Sequence, residues 1–189
     1  MVSERRRNNL EYYAVVTGRL DEPAIFSSWG DAHPRVTGCK AEFKGFVSIQ
    51  EARDYMERKG FAGWKEIIKD TALETTPARN SMAYYAVAHG ANPGIRDFWY
   101  GPEGASQAVH EISGACHKHF RTKEQAEAFI EDWKETYAEV WRRAVKEALD
   151  NGLRPLGMKL DTKEILRGAN QDPAINGISQ RFDSVMSFT

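Results

Sequence analysis

The sequence predicts an α+β fold: two small three-stranded antiparallel sheets, each ordered ββαβα with its helices on one face, plus a long C-terminal helix. Three observations predict it. The stretch "YYAVVTGR" at 12–19 returns as "YYAVAHGA" at 84–91, a shift of 72 positions. Further blocks follow each copy in the same order, "AIFSSW", "HPRVTG", "EFKGF" and "SIQEARDYM" after the first, and "GIRDFW", "QAVHEISG", "CHKHF" and "TKEQAEAFI" after the second. Internal repetition of this kind marks one supersecondary unit written twice. Third, apolar residues at steps of three and four run from Ala126 to Ala148, the spacing of one helix face.

In chain order, Tyr12–Val16 is rich in aromatic and β-branched residues and reads as a strand. The turn material "TGRLDEP" leads into a second strand over Ala24–Trp29, closing a hairpin. Asp31–Val36 is expected as a short helix that Pro34 weakens. Glu42–Phe46 reads as the third strand. Ser48 then caps a helix with Glu51 at the capping-box position, and Ala52, Tyr55 and Met56 give that helix one apolar face. The second unit repeats the order, with Thr122 as cap, Gln125 at the box position, and Ala126, Phe129 and Ile130 on the apolar face. The units are expected at 12–58 and 83–131, joined by a 59–82 linker with a short helix. The last helix is expected to run to about 151, where Asn151-Gly152 and then Pro155 stop it. That makes it about 40 Å long, more than one small sheet covers. The excess stripe is expected to meet the first unit, the linker, or another chain. The 152–189 tail is expected to be largely disordered, with a short helix at 162–167.

Length and composition exclude several classes. At 189 residues the chain suits one ordinary domain or two small ones. Its 26 Lys and Arg stand against 27 Asp and Glu, a net charge of −1. Tight non-specific nucleic-acid binding needs a clear positive excess, so this balance argues against it. No apolar run reaches the length of a membrane span, and "MVSERRRNNLEYY" lacks the apolar core of a secretory signal. Arg5-Arg6-Arg7 reads as a solvated arm or a fragment of a nuclear address. Cys39 and Cys116 fall at different offsets in the two units and read as free thiols in a reducing compartment. The expected location is therefore intracellular, nucleus or cytoplasm.

The blocks resemble the small N-terminal hybrid-binding domain of eukaryotic ribonuclease H, which viroplasmins of plant viruses share. That pattern runs Tyr-Ala-Val, a Gly-containing turn, a strand ending in Trp, Val-x-Gly, an aromatic-Lys-Lys-Phe strand, and a capped helix with Glu-Ala. This chain has "YYAVVTGR…FSSW…VTG…FKGF…QEA" and "YYAVAHG…GIRDFW…ISGACHKHF…EQAEAF". The resemblance implies tandem modules that bind RNA-containing duplexes, an RNA/DNA hybrid or double-stranded RNA. In the family the strand-end Trp and the aromatic before Lys pack on deoxyribose, and the Lys residues hold phosphates. The matching positions are Trp29, Phe43 and Lys44 in the first unit, and Trp99, His117 and Lys118 in the second. Where the pattern has its second Lys, this chain has Gly45 and His119. His119 is expected as a weakly basic stand-in for Lys, so the second unit is expected to gain affinity as pH falls below about 6.5.

The resemblance does not import catalysis. The ribonuclease catalytic domain needs four carboxylates around two metals, and the residues after Ile130 read as one helix and a tail. No catalytic residue and no cofactor are expected. Cys116, His117 and His119 have metal-binding side chains, but a structural zinc site wants four ligands and no matching pair stands nearby in sequence, so no metal is expected either. The expected function is non-catalytic, weak nucleic-acid binding through the tandem modules. The rival expectation is a protein-interaction scaffold or oligomerising protein that uses open sheet faces and the 122–151 helix.

Overall fold

The computed structural model describes residues 10–69, 75, 77 and 81–152. The remainder of the 59–82 linker, with its expected helix, and residues 153–189, with the 162–167 helix and the expected disorder, lie outside the described residues.

In the first module β1 (Tyr12–Thr17) pairs antiparallel with both β2 (Ala24–Phe26) and β3 (Glu42–Phe46). Helix α1 (Trp29–Val36) lies between β2 and β3, and α2 (Ile49–Arg58) follows β3. The second module repeats this with β5 (Tyr84–His89) between β6 (Gly94–Arg96) and β7 (Cys116–Phe120), α3 (Ala105–Val109), and the long α4 (Lys123–Asp150). Both copies have the same irregularity: the register slips between Val15 and Thr17 in β1 and between Val87 and His89 in β5. A bulge at matching positions is a built feature of the repeat. Both expected caps form: the Glu51 amide donates to Ser48 Oγ at 3.2 Å, and the Gln125 amide to Thr122 Oγ1 at 3.3 Å.

Two expectations need correction. The first sheet has four strands, in the order β3-β1-β2-β4, because the linker contributes β4 (Lys65–Ile67), parallel to β2. Arg53 of α2 holds that strand through a two-pronged contact with Glu66 at 2.7 and 2.8 Å. The second sheet keeps three strands, β6-β5-β7. Nor do the helices share one face. Tyr13 and Val15 pack with Ala32 and Val36 of α1, while Ala14 and Val16 pack with Ala52 and Met56 of α2. Likewise Val87 packs with Ala105 and Ala108 of α3, and Ala86 and Ala88 with Phe129 and Trp133 of α4. Successive strand residues point to opposite faces. A central strand with no polar alternate position therefore needs cover on both sides, and "YAVV" and "YAVA" have none.

The first half of α4 also closes the two modules on each other. Gly30 of α1 sits so close to α4 that a Cβ there would lie 2.7 Å from the Phe129 carbonyl oxygen. Trp133 Nε1 donates to His33 Nδ1 at 3.1 Å, and Thr136 Oγ1 donates to Asp31 Oδ1 at 3.1 Å. Arg35 pairs with Glu139 at 2.8 Å, and Lys69 bridges Asp31 and Asp132. Trp29 packs against the cores of both modules. The stripe of α4 thus meets the first module at Trp133, whereas Tyr137 and Trp141 further along it are exposed. This body ends at Glu147, and residues from Ala148 belong to a separate unit.

Candidate nucleic-acid interface

Each module builds the same three-ring cluster on the face of its sheet that α1 or α3 covers. In the first, Trp29 lies 4.9 Å from Tyr13 and 5.7 Å from Phe43, ring centre to ring centre. In the second, Trp99 lies 5.6 Å from Tyr85 and 5.1 Å from His117. The cross-strand register makes these clusters: Val15 opposes Phe43 and Tyr13 opposes Gly45, as Val87 opposes His117 and Tyr85 opposes His119. Trp29 is not a strand end; it is the first residue of α1, and Trp99 sits in the turn that follows β6.

The two clusters meet. Leu10, Tyr13, Trp29, Phe43 and Gly45 from the first module and His117, Lys118 and His119 from the second line one groove of about 310 Å³. Phe43 is 43% exposed and His117 is exposed, so flat ring faces stand at its surface. Of the seven residues singled out in sequence, five line this groove. Trp99 joins it only through His117. Lys44 is not there: alternation along β3 puts it on the opposite face, over the rings of Phe46 and Tyr55 at 5.5 and 5.8 Å.

Lys118 is in the groove wall but is already occupied. Its ammonium donates to Glu11 Oε2 at 3.0 Å and to the Leu10 carbonyl at 3.1 Å, and its side chain is 12% exposed. Burial pulls its pKa down, against the Glu11 carboxylate, which works to raise it. Residues 10 and 11 form a short arm across the groove. Tyr13 Oη donates to the Leu10 carbonyl at 2.9 Å, and the Glu11 amide donates to the Phe46 carbonyl at 2.9 Å. The glycine that replaces a family Lys makes room for this arm: a Cβ at Gly45 would lie 2.7 Å from Leu10 Cδ1. Leu10 and Glu11 precede the repeat, and nothing in the sequence pointed to them. Tyr13 had a signal, the second Tyr of the repeated "YYAV", which alternation places on the face of Phe43.

The histidines differ from the expectation of easy protonation near 6.5. Burial lowers the His117 pKa, helped by the charge of His119, and burial followed by Lys118 lowers that of His119. Any gain of charge in this groove therefore comes below the ordinary histidine value. Among the described residues no group of three or more His, Cys, Asp or Glu stands together as a metal site. Cys116 is buried, and burial pushes its thiol up. Among the described residues no helix is long and apolar enough to cross a membrane.

These features define a pair of small α+β modules, each presenting an aromatic cluster on the sheet face beneath its short helix. The family model described as Ribonuclease H1 N-terminal domain matches residues 11–56 and again 83–130, and the chain belongs to that family as a tandem of two such domains. No curated protein and no solved structure matches the chain.

Proposed function

We propose that the protein is a non-catalytic, weak binder of RNA-containing duplexes, an RNA/DNA hybrid or double-stranded RNA. The ligand lies against the composite groove formed by both modules. The observation that supports this most is the placement of Trp29 and Phe43 of one module beside His117 and His119 of the other in a single groove. Ring faces take sugars and bases without regard to sequence, each contact contributing roughly 1–3 kcal/mol. Weak affinity follows from the cations: Lys118 is paired with Glu11, Lys44 is on the other sheet face, and the chain has a net charge of −1. A 2′-hydroxyl contact is the means by which such a surface prefers RNA-containing ligands. The domains that match are described as the N-terminal domain, and the proposed role is binding through them.

A second reading, association with protein or with itself through α4, loses the open sheet faces, since helices cover both sides of each sheet. It retains the exposed rings Tyr137 and Trp141 and the exposed Val145. Gel mobility of a labelled RNA/DNA hybrid, with duplex DNA and double-stranded RNA as controls, separates the two. Retardation of the RNA-containing duplexes supports the first; no retardation of any, with a sedimentation coefficient that rises with protein concentration, supports the second. Cleavage of the hybrid in Mg²⁺ or Mn²⁺ that follows the protein through purification contradicts the non-catalytic assignment.

A further inference from the structure

We infer that a second cavity, in the seam between the modules, takes a single unpaired nucleotide. Its volume is about 310 Å³, and its walls include Arg19, His33, His89, Trp133, Tyr137 and Trp141. That is the lower end of the roughly 300–1,000 Å³ typical of small-ligand sites.

The walls combine what a nucleotide needs. Trp133 is sandwiched between His89 and Tyr137, at 5.5 Å and 15° on one side and 4.6 Å and 14° on the other. Trp141 meets Tyr137 edge-on, at 6.2 Å and 64°. Trp133 belongs to the core, 8% exposed, whereas Tyr137 and Trp141 are 40% and 53% exposed. Exposed aromatic rings of this kind take a planar base. His89 Nδ1 donates to the Gly114 carbonyl at 2.9 Å, which fixes the ring in the cavity wall with Nε2 as its other polar atom. Arg19 supplies the charge. Its guanidinium donates to the carbonyls of Pro34 and Gly38, each at 3.0 Å, and of Thr37. Among the described residues all three bonds go to neutral carbonyls and none to a carboxylate, so the positive charge in this wall attracts an anion. An aromatic protein side chain would match the rings but leave that charge without a partner; a nucleotide matches both.

The cavity is also close to the duplex groove. Trp29 lines the groove, and His33, one turn further along α1, lines the cavity. A base that overhangs or loops out of a groove-bound duplex is therefore the natural occupant. In that form the inference rests on the proposed duplex binding; the cavity itself does not.

The test uses the full chain and two RNA/DNA hybrids, one blunt and one with a two-nucleotide 3′ overhang, plus a single-stranded tetranucleotide. The overhang is expected to tighten binding roughly five- to tenfold. Trp141→Ala is expected to remove that increment while leaving blunt-hybrid affinity unchanged, and Trp141→Phe to preserve it. Equal affinity for both hybrids, or an increment that survives Trp141→Ala, overturns the inference and leaves duplex binding standing. Trp141-dependent binding of the tetranucleotide with no binding of blunt hybrid supports the cavity and overturns the duplex reading. No binding of any probe overturns both. A concentration-dependent sedimentation coefficient that Trp141→Ala abolishes shows a second copy covering the ring, and overturns the inference in favour of self-association.

Discussion

The two modules have one backbone plan and two different surfaces. Their central strands bury the same positions, Ala14 and Val15 in one and Ala86 and Val87 in the other, all fully buried. They slip register at the same place. Away from the core they part. In the first, β4 covers the edge of β2, and β2 reads Ala-Ile-Phe, entirely buried. In the second, β6 is the sheet edge and reads Gly-Ile-Arg, half-buried. An uncovered edge tolerates and favours a charged residue, which blunts pairing with other chains. The rings beside Trp29 and Trp99 differ the same way: Phe43 in the covered module, His117 in the other. Packing on both faces constrains the frame of the repeat tightly, whereas the ring cluster at the surface has been free to change.

The sharpest way to break this comparison is to attack the seam that makes two modules one body. Gly30→Ala in an isolated helix stabilises by roughly 0.5–1 kcal/mol. Here the new Cβ meets the Phe129 carbonyl oxygen at 2.7 Å, so the expected result is a loss of about 1–3 kcal/mol in chemical denaturation. A gain would mean that α1 and α4 are not in contact. Trp133→Ala, in the same seam, is expected to cost more, about 3–5 kcal/mol, as for other large core truncations.

The seam also has a pH signature. His33 is 5% exposed and accepts from Trp133, and burial, then the charge of His89, lowers its pKa from 6.5 to about 4. The unfolded chain takes up a proton below 6.5 that the folded chain refuses until about 4. Stability is therefore full above 6.5 and falls as pH drops from there toward 4, by about 2–3 kcal/mol. His33→Asn, whose side-chain oxygen replaces the Nδ1 acceptor, should flatten that slope between pH 6.5 and 4 in melts of the two proteins.

Binding should separate the modules next. Phe43→Ala is expected to cost about 1–2 kcal/mol of hybrid affinity at pH 7.5, and His117→Ala less. Because the His117 and His119 pKa values are lowered, the second module gains only below the ordinary histidine range. Gel-shift titrations from pH 7.5 downward would show the two losses converging late, or, against the account, already equal at neutral pH.

The smallest expected effect is at the arm. Glu11→Gln removes the charge that holds Lys118 and should raise hybrid affinity a few-fold. It should also steepen the salt dependence by about one unit of logarithmic slope, the signature of one added phosphate contact. Unchanged affinity and slope would leave Lys118 as an internal brace only.

Much of the frame was legible in the sequence. The repeated "YYAV", the Ser48 and Thr122 caps, and the apolar stripe of α4 each report a local rule, and each formed where the rule put it. What failed depended on distant partners. β4 is a three-residue strand whose exposed Lys65 and Glu66 show no periodic pattern; its pairing with β2 makes it a strand. Helices on both faces followed from the unbroken apolar run of β1, a signal present but read as one face. The groove was half legible. Trp29, Phe43 and His117 came from the resemblance, but the partner of Lys118 is Glu11, 107 positions away, beyond any local reading.

The claim that the two modules share one interface is tested most directly by a double-mutant cycle on Phe43 and His117 in the full chain, with an RNA/DNA hybrid as ligand. Residues lining a single groove are expected to couple, with the double loss departing from the sum of the single losses by more than about 0.5 kcal/mol and one duplex bound per chain. Additive losses with two duplexes bound per chain, or no loss from either substitution, would contradict it.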